Sequence, residues 1–232
     1  MNIDDVQSPA LDGRDRLELI FERQRELTEK YGPIEMSNGV GRGLIFGTSF
    51  HIDDLRWQYL MKDYAWRITE EIAEATDAMD HPDHLWEEAI DALHFLVELL
   101  ITANVSIADV LANSDASAYL TDRTDGVADS LDRMFGWAGY RPGPRPRRMR
   151  FVVKINAYRV VEHLGLAMNC LKNKPWKQTQ METDATRFKL HLSLAFQSWV
   201  KFAILIGMDA GSVYDVYFRK FEVNKFRQRS GY

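Results

Sequence analysis

Apolar residues recur at intervals of three and four along most of the chain, and this period constrains the fold more than any other feature of the sequence. An α-helix places residues with that spacing on one face, whereas strand-like alternation of apolar and polar residues is scarce here. The clearest stripe consists of Ile68, Ile72, Ala75 and Met79. Two stretches break the pattern, a glycine-rich one at 39–47 and a proline- and arginine-rich one at 141–150. The sequence therefore predicts an all-α fold.

Three helices can be delimited in the first half of the chain. The first is expected from Leu17 to Tyr31, ending at Gly32-Pro33, and the second from Leu55 to Met79. Because Pro82 disfavours helix at the residue before it, a third helix is expected from Leu85 to Ala103. Their short connection makes the second and third helices a hairpin.

Length and composition place the chain among globular proteins, with 232 residues of which 46% are hydrophobic and 27% charged. We divide it into an N-terminal helix and loop at 1–54, an acidic hairpin at 55–112, an Asp-rich segment with a Pro/Arg linker at 113–150, and a basic part ending in a helix at 151–232. The five arginines of 141–150 have no aromatic residues between them. We therefore favour a linker over a nucleic-acid contact there.

Three features of the sequence indicate where in the cell the protein is located. No apolar stretch reaches the roughly 18 residues that a membrane span needs, and the longest candidate, 92–105, contains His94, Glu98 and Asn104. The N-terminus is acidic where a secretory signal would be basic, and Cys170 has no second cysteine to pair with. We expect a cytoplasmic protein without a membrane, in which Cys170 is a small buried hydrophobic residue.

The net charge of −5 hides an opposition between the two parts of the chain. Residues 1–140 carry 11 Lys and Arg against 28 Asp and Glu, whereas residues 141–232 carry 18 against 6. Opposite charges can hold the two parts of the chain together by electrostatic attraction. It also suits a site in which one part holds cations and the other meets a polyanion.

Four carboxylates border the apolar faces of the predicted hairpin. Glu71 and Glu74 lie on its first helix, and Glu88 and Asp91 on its second. A buried, unpaired carboxylate costs several kcal/mol, so a converging cluster requires a compensating cation. Oxygen ligands without His or Cys favour Mg²⁺ or Mn²⁺ over Zn²⁺. The alternative is a solvated charge run, which the apolar setting of Glu88 and Asp91 disfavours.

Other polar and aromatic residues of the hairpin carry weaker signals. We interpret the histidines as loop and helix-surface residues rather than ligands: His81, His84 and His94. Four tryptophans are candidates for stacking on a base, although each taken alone is better interpreted as core: Trp57, Trp66, Trp86 and Trp176.

The chain repeats its hairpin in degenerate form. Shifted by 92 positions, 65–76 aligns with 157–168, and shifted by 103, 88–105 aligns with 191–208. The carboxylates do not survive the repeat, since Glu71 aligns with His163 and Glu88 with His191. We infer a helical bundle built from two related hairpins, only one of which carries the acidic cluster. The alternative is the ordinary similarity of any two amphipathic helices.

The last predicted helix carries a stripe of hydrogen-bond donors within an arc of roughly 100°. Its members are Tyr217, Lys220, Asn224, Arg227 and Gln228. Lys and Arg neutralise phosphates, and Asn or Gln can recognise a pyrimidine through paired donor and acceptor atoms. An ordinary solvated helix face is the alternative.

Two sets of residues carry a resemblance to a known family. The run Glu70-Glu71-x-x-Glu74 followed by Glu88-x-x-Asp91 resembles the EExxE…ExxD signature of the all-α nucleoside triphosphate pyrophosphatases. Gly207-Met208 with Tyr217-x-x-Lys220-x-x-x-Asn224-x-x-Arg227-Gln228-x-x-Gly231-Tyr232 resembles the ending of dimeric dUTPases and of the T-even phage dCTPase/dUTPase.

A third stretch, Lys174-Pro175-Trp176-Lys177, is similar to the KPWK stretch of the phage enzyme, although here it precedes the degenerate helix of His191. The N-terminal Gln-x-x-Leu-Asn of the family stands here as Gln24-x-x-Leu27-Thr28, which puts the base contact at that end in doubt.

The resemblance implies a hydrolase that converts dUTP to dUMP and pyrophosphate, with dUDP as a further substrate. It implies Mg²⁺, or Mn²⁺, on Glu71, Glu74, Glu88 and Asp91, with Glu71 as general base. It implies these substrate-binding residues: Gln24, Lys174, Trp176, Lys177, Tyr217, Lys220, Asn224, Arg227, Gln228 and Tyr232. A homodimer and a cytoplasmic location, the host cytoplasm for a phage-encoded protein, also follow from the resemblance.

Several alternatives remain open from the sequence. Within the same class, the substrate is dCTP, both dCTP and dUTP, or the broader set of a MazG-like enzyme. In a different class, the chain is a non-catalytic helical protein that binds nucleotide or a partner, without specific nucleic-acid binding.

Overall fold

A computed structural model describes residues 7–37, 51–112, 129–137, 149–171 and 182–230. These ranges contain α-helices, one short 3₁₀ turn at Ala78–Asp80 and no strand, which confirms the all-α prediction. The helices are α1 (Arg16–Ser37), α2 (Leu55–Asp77), α3 (Pro82–Thr102), α4 (Ile107–Ala112), α5 (Ser130–Trp137), α6 (Met149–Cys170), α7 (Ala185–Leu205) and α8 (Ala210–Ser230).

A four-helix core organises the described residues. Helix α2 packs along α3, α6 packs along α7, and the two pairs meet through contacts of α2 with α6 and of α3 with α7. Helices α1 and α8 lie against α3, and α4 and α5 lie against α7. As a result α3 and α7 are buried on most of their circumference, whereas α2 and α6 form the outer side of the bundle.

Local sequence signals explain how α2 leads into α3. The side chain of Asp54 caps α2 by accepting a hydrogen bond from the backbone N–H of Arg56 at 2.8 Å. Helix α2 ends at Asp77, and Pro82 lies in the first turn of α3, where its missing N–H costs nothing. The third helix thus begins at Pro82, three residues before its predicted start at Leu85.

The prediction that α1 ends at Gly32-Pro33 is wrong, because α1 continues to Ser37. A proline inside a helix removes one intrahelical hydrogen bond and introduces a clash with the carbonyl four residues earlier, yet the helix need not terminate there. The helical pattern before Pro33 was sufficient to predict the helix but not its end.

The ends of α3 and α7 have the same geometry. Asn104 (φ 52°) follows α3 and Gly207 (φ 93°) follows α7, both in the left-handed region that Asn and Gly tolerate best. In each case the next residue's N–H bonds to the carbonyl five positions earlier, Val105 to Leu100 and Met208 to Ala203. These positions align under the shift of 103 residues, while the common origin of the hairpins stays a prediction.

A buried hydrogen bond joins the two hairpins. The indole Nε1 of Trp199 on α7 donates to the carbonyl oxygen of Ala89 on α3 at 2.9 Å. Cys170, at the end of α6, is buried as predicted. No single helix in the described ranges is long and apolar enough to cross a membrane; Ala185–Leu205 and Ala210–Arg227 reach that composition only as a pair bent by 103°.

We predict that Leu192→Ala lowers the free energy of unfolding by about 3 kcal/mol, because it leaves a cavity in the core. Leu192 is 0% exposed, whereas Leu190 on the same helix is 37% exposed. Leu190→Ala, the matched control, should cost less than about 1 kcal/mol. Urea titration followed by circular dichroism measures both, and equal losses would contradict the assigned faces of α7.

Candidate metal centre and adjoining cleft

Three carboxylates meet where α2 faces α3. Glu71 comes from α2, and Glu88 and Asp91 come from successive turns of α3. One carboxylate oxygen from each lies within 4.8 Å of the others. The apolar residues on both helices pack the hairpin closely and so hold these charges together. Sequence reasoning predicted all three side chains at this interface.

Glu74 lies outside this group of three. It is exposed on α2, one turn after Glu71, although its charge still raises the pKa of Glu71. Its role as a metal ligand stays a prediction.

The three carboxylates repel one another and are partly removed from water. The pKa of the Glu71 carboxyl is raised from 4.5 to about 8, first by burial, then by the charge of Asp91 and by Glu88. Burial also raises the pKa of Asp91 above its usual value, although Lys220 acts in the opposite direction. Such a cluster gains from an additional positive charge.

Lys220 supplies one positive charge to the cluster from the far end of the sequence. Its Nζ lies 2.6 Å from Oδ2 of Asp91, and both side chains are about one-fifth exposed. A second neighbour, His84, places Nδ1 3.1 Å from Oε1 of Glu88 one turn along α3. These contacts place an ammonium group beside Asp91 and an imidazole beside Glu88.

The donor set fits a hard divalent cation. All three side chains offer carboxylate oxygens, and the raised pKa of Glu71 reflects negative charge that a cation would neutralise. Mg²⁺ and Mn²⁺ prefer such oxygen ligands and retain positions for water or phosphate. The residues that could hold the ion are therefore Glu71, Glu88 and Asp91.

A cleft of about 500 Å³ opens beside Lys220, between the first turns of α3 and the second half of α8. It is lined by Asp83, Trp86, Glu87, Val216, Arg219, Lys220, Val223 and Arg227. Trp86 is fixed there because its Nε1 donates to the carbonyl oxygen of Ile206 at 3.1 Å. Three cationic side chains thus line this cavity, and one of them, Lys220, also contacts Asp91 of the carboxylate cluster.

Sequence reasoning predicted only part of this cleft. Lys220 and Arg227 were in the predicted donor stripe, and Trp86 was a stacking candidate. Arg219 was missed, because at 100° per residue it lies about 80° outside the predicted stripe. The acidic side chains of Asp83 and Glu87 were not assigned to a cleft, since nothing in the sequence places α8 against the start of α3.

Gln24 and Tyr217 lie together in a buried polar network. Oε1 of Gln24 accepts a hydrogen bond from the Tyr217 hydroxyl at 2.8 Å and lies 2.9 Å from Nδ1 of His94. Nε2 of Gln24 is 3.3 Å from Oε2 of Glu98, a carboxylate that the Tyr64 hydroxyl also contacts at 2.8 Å. Their contact with substrate stays a prediction, since both side chains lie in the core.

The surface interpretation of His94 is wrong. The side chain is buried and its ring stacks on Tyr217, with 4.1 Å between ring centroids. Burial lowers the pKa of His94 to about 3, with Lys220 as a second cause, so the ring is neutral at physiological pH. Sequence periodicity did not reveal this, because α1 and α8 cover a side of α3 that a simple hairpin would expose.

The remaining predicted residues divide into two groups. Asn224 is half-buried on α8 and Arg227 is exposed at the cleft. Four predicted residues lie outside the described ranges, Lys174, Trp176, Lys177 and Tyr232, and Gln228 belongs to α8 although its side chain is not among those described. The core interpretation of Trp66 is wrong, since this residue is 63% exposed, while Trp57 and Trp86 pack against the core.

Comparison with known proteins gives one match. A family model described as dUTPase matches residues 75–232, which is more than half of the chain. The matched range begins after Glu71 and includes Glu88, Asp91 and all of α8. No curated protein and no solved structure matches the chain significantly.

We predict that Glu71→Gln stabilises the metal-free protein at pH 7. The folded-state pKa of about 8 lies above the ordinary 4.5, so ionising Glu71 costs folding free energy as pH rises between these values. Because the side chain is partly exposed, we discount the gain to about 1 kcal/mol. Urea titrations in EDTA at pH 7 and at pH 4 should show a gain that is lost at the lower pH.

Glu74→Gln is the matched control for this prediction, since Glu74 is exposed on the same helix. The assignment of the destabilising charge to Glu71 would be contradicted by an equal gain in unfolding free energy from Glu74→Gln. It would also be contradicted by a gain from Glu71→Gln that persists at pH 4.

Proposed function

Because the chain belongs to the dUTPase family, we propose that it hydrolyses dUTP to dUMP and pyrophosphate in a reaction that requires Mg²⁺. The observation that carries this proposal is a cluster of three carboxylates next to a cleft lined by cationic side chains. A nucleoside triphosphate is a polyanion that a divalent cation and basic residues bind together. The opposite charges of the two parts of the chain thereby acquire a function.

Glu71, Glu88 and Asp91 would hold the metal, with Glu74 as a further ligand from the same helix. When bound, the cation would neutralise charge on the phosphates and increase the acidity of an attacking water. Mn²⁺ has similar ligand preferences and should substitute for it. The raised pKa values of Glu71 and Asp91 support this assignment, because each would return toward its ordinary value beside a cation.

We assign Glu71 as the general base. The family resemblance implies this role, and beside a bound cation the Glu71 carboxyl would be ionised and so able to accept the proton that water must lose during hydrolysis. The side chain lies between a buried hairpin interface and solvent, so it can receive a proton from a water on the substrate side. The water then forms the new bond to phosphorus as the bond between the α- and β-phosphate groups breaks.

The basic side chains of the cleft would bind the phosphates. Arg219, Lys220 and Arg227 approach from α8, and Lys220 already contacts the carboxylate cluster through Asp91. Trp86 offers an aromatic surface in the same cleft, suited to stacking on a base. The family resemblance adds Asn224, Lys174, Trp176, Lys177, Gln228 and Tyr232 to the proposed substrate contacts, and Gln24 and Tyr217 after rearrangement of the buried network. It also supports a homodimer.

We predict that the purified protein releases dUMP and pyrophosphate from dUTP with Mg²⁺ and releases neither in EDTA. Incubation with each deoxynucleoside and ribonucleoside triphosphate, and with dUDP, followed by chromatography of the products, measures this. Cleavage of dCTP at a similar rate would replace dUTP specificity by the dual specificity of the phage enzyme. Binding of nucleotide without release of pyrophosphate would contradict the enzymatic proposal.

We predict that Asp91→Asn lowers the rate of hydrolysis by about a thousandfold or more, because it removes a proposed metal ligand while nearly conserving shape. Steady-state assays give the rate, and far-ultraviolet circular dichroism checks that the helices persist. Asp215→Asn is the matched control, since Asp215 is an exposed aspartate on α8. Similar rates for the two variants would refute the site assignment.

A further inference from the structure

The side chain of Lys220 borders both parts of the proposed active site. Its Nζ lies 2.6 Å from Oδ2 of Asp91, which belongs to the carboxylate cluster. The same side chain also lines the cleft, together with Arg219 and Arg227. In the described ranges, no other lysine or arginine forms an ion pair with the three carboxylates of the cluster. Lys220 therefore connects the proposed metal ligands with the proposed phosphate site.

When no cation is bound, Lys220 is the counter-charge that the chain itself supplies to Asp91. The side chains of Lys220 and Asp91 are 20% and 23% exposed, so water screens their attraction only in part. A divalent cation on the same carboxylates would carry twice the charge of the ammonium group. Two positive charges beside one carboxylate repel each other. The ammonium group and the cation should therefore compete for Asp91.

A nucleoside triphosphate in the cleft offers Lys220 a second partner. When the three carboxylates are all ionised, a divalent cation would reduce their summed charge from −3 to about −1, so the cluster would then attract Lys220 less strongly. Phosphate oxygens are a common partner of lysine, which binds them as a point charge. The ammonium group should consequently prefer Asp91 in the metal-free protein, and prefer phosphate when cation and nucleotide are both bound.

Packing of α8 confines this exchange to the side chain of Lys220. Tyr217 and Phe221, which precede and follow it on α8, are 0% and 1% exposed. The Tyr217 hydroxyl also donates a hydrogen bond to Oε1 of Gln24 at 2.8 Å. These contacts anchor α8 against the core, whereas the lysine ammonium group ends a flexible four-carbon stem. The ammonium group can therefore change partners by side-chain rotation, without a shift of the helix.

We propose that Lys220 exchanges partners: it pairs with Asp91 in the metal-free protein and moves to the phosphates of the nucleotide when a divalent cation occupies the carboxylate cluster. This inference rests on the proposed function for the nature of the two ligands, and it adds how their binding is coupled. Lys220 opposes cation binding until nucleotide is present. Each ligand therefore raises the affinity of the protein for the other.

Titration calorimetry with Mn²⁺ in the absence of nucleotide tests the competition. Lys220→Met should bind Mn²⁺ about tenfold more tightly than wild type, because a positive charge beside the cluster is removed. Lys220→Arg keeps the charge and should show no gain. Arg219→Met is the matched control, since Arg219 is the preceding residue and lines the same cleft. A Lys220→Met protein that binds Mn²⁺ no more tightly than wild type, or a control with an equal gain, would overturn the proposal.

A dUTP analogue with an imido group between the α- and β-phosphates tests the move to phosphate. With Mn²⁺ present, Lys220→Met should weaken binding of the analogue about tenfold or more, because a charged contact to phosphate is lost. In EDTA the same substitution should cost less than about threefold, since Asp91 then retains the ammonium group. An equal loss under both conditions would show that Lys220 reaches the phosphates without the cation, which contradicts the exchange.

Failure of the exchange and failure of the proposed function give different results. A wild-type protein that binds Mn²⁺ but releases no pyrophosphate from dUTP refutes the enzymatic proposal, and the Mn²⁺ titrations still decide the exchange. A wild-type protein that binds no Mn²⁺ overturns the exchange together with the metal centre. Circular dichroism checks that each variant keeps its helices, and Lys220→Gln replaces Lys220→Met in both titrations where the methionine variant does not.

Discussion

Repulsion among carboxylates that apolar packing holds together is the constraint on which the structure around the site depends. Glu71, Glu88 and Asp91 project from two helices whose apolar faces fit closely, so the charges cannot separate without opening the hairpin. Burial, followed by the charges of Asp91 and Glu88, raises the pKa of Glu71. Apolar packing of the core contributes folding free energy that offsets this cost. The carboxylates therefore stay together where α2 meets α3, and together they have a high affinity for cations.

Helix α8, which is distant in sequence, stabilises this arrangement. Helix α8 brings Lys220 to Asp91 and so lowers the electrostatic cost on one side of the cluster. The same helix buries Tyr217 against Gln24 of α1 and His94 of α3, which fixes its rotation about its axis. The buried network thus sets the position of Lys220 one turn after Tyr217, although none of its core members lines the cleft.

Sequence periodicity was sufficient for the helices and for the acidic cluster, because both depend on residues close together along the chain. It predicted the stripe of Ile68 and the convergence of Glu71 with Glu88. It could not predict the burial of His94, because Gln24 of α1 and Tyr217 of α8 cover this side chain. Both helices are distant from His94 in sequence. The membership of Arg219 in the cleft and the contact of Lys220 with Asp91 depend on the same long-range packing.

The second hairpin lacks the electrostatic repulsion of the first, so only one of the two hairpins destabilises the bundle in this way. At the positions aligned with Glu71 and Glu88, α6 and α7 carry His163 and His191, whose ring centroids are 5.8 Å apart. Burial lowers the pKa of both imidazoles, so they remain neutral where carboxylates would repel each other. The second hairpin therefore avoids carboxylate repulsion at these two positions, and the electrostatic cost is confined to the hairpin of Glu71, Glu88 and Asp91. A bundle with a carboxylate cluster in each hairpin would incur this cost twice, whereas Lys220 of α8 reduces it at one cluster.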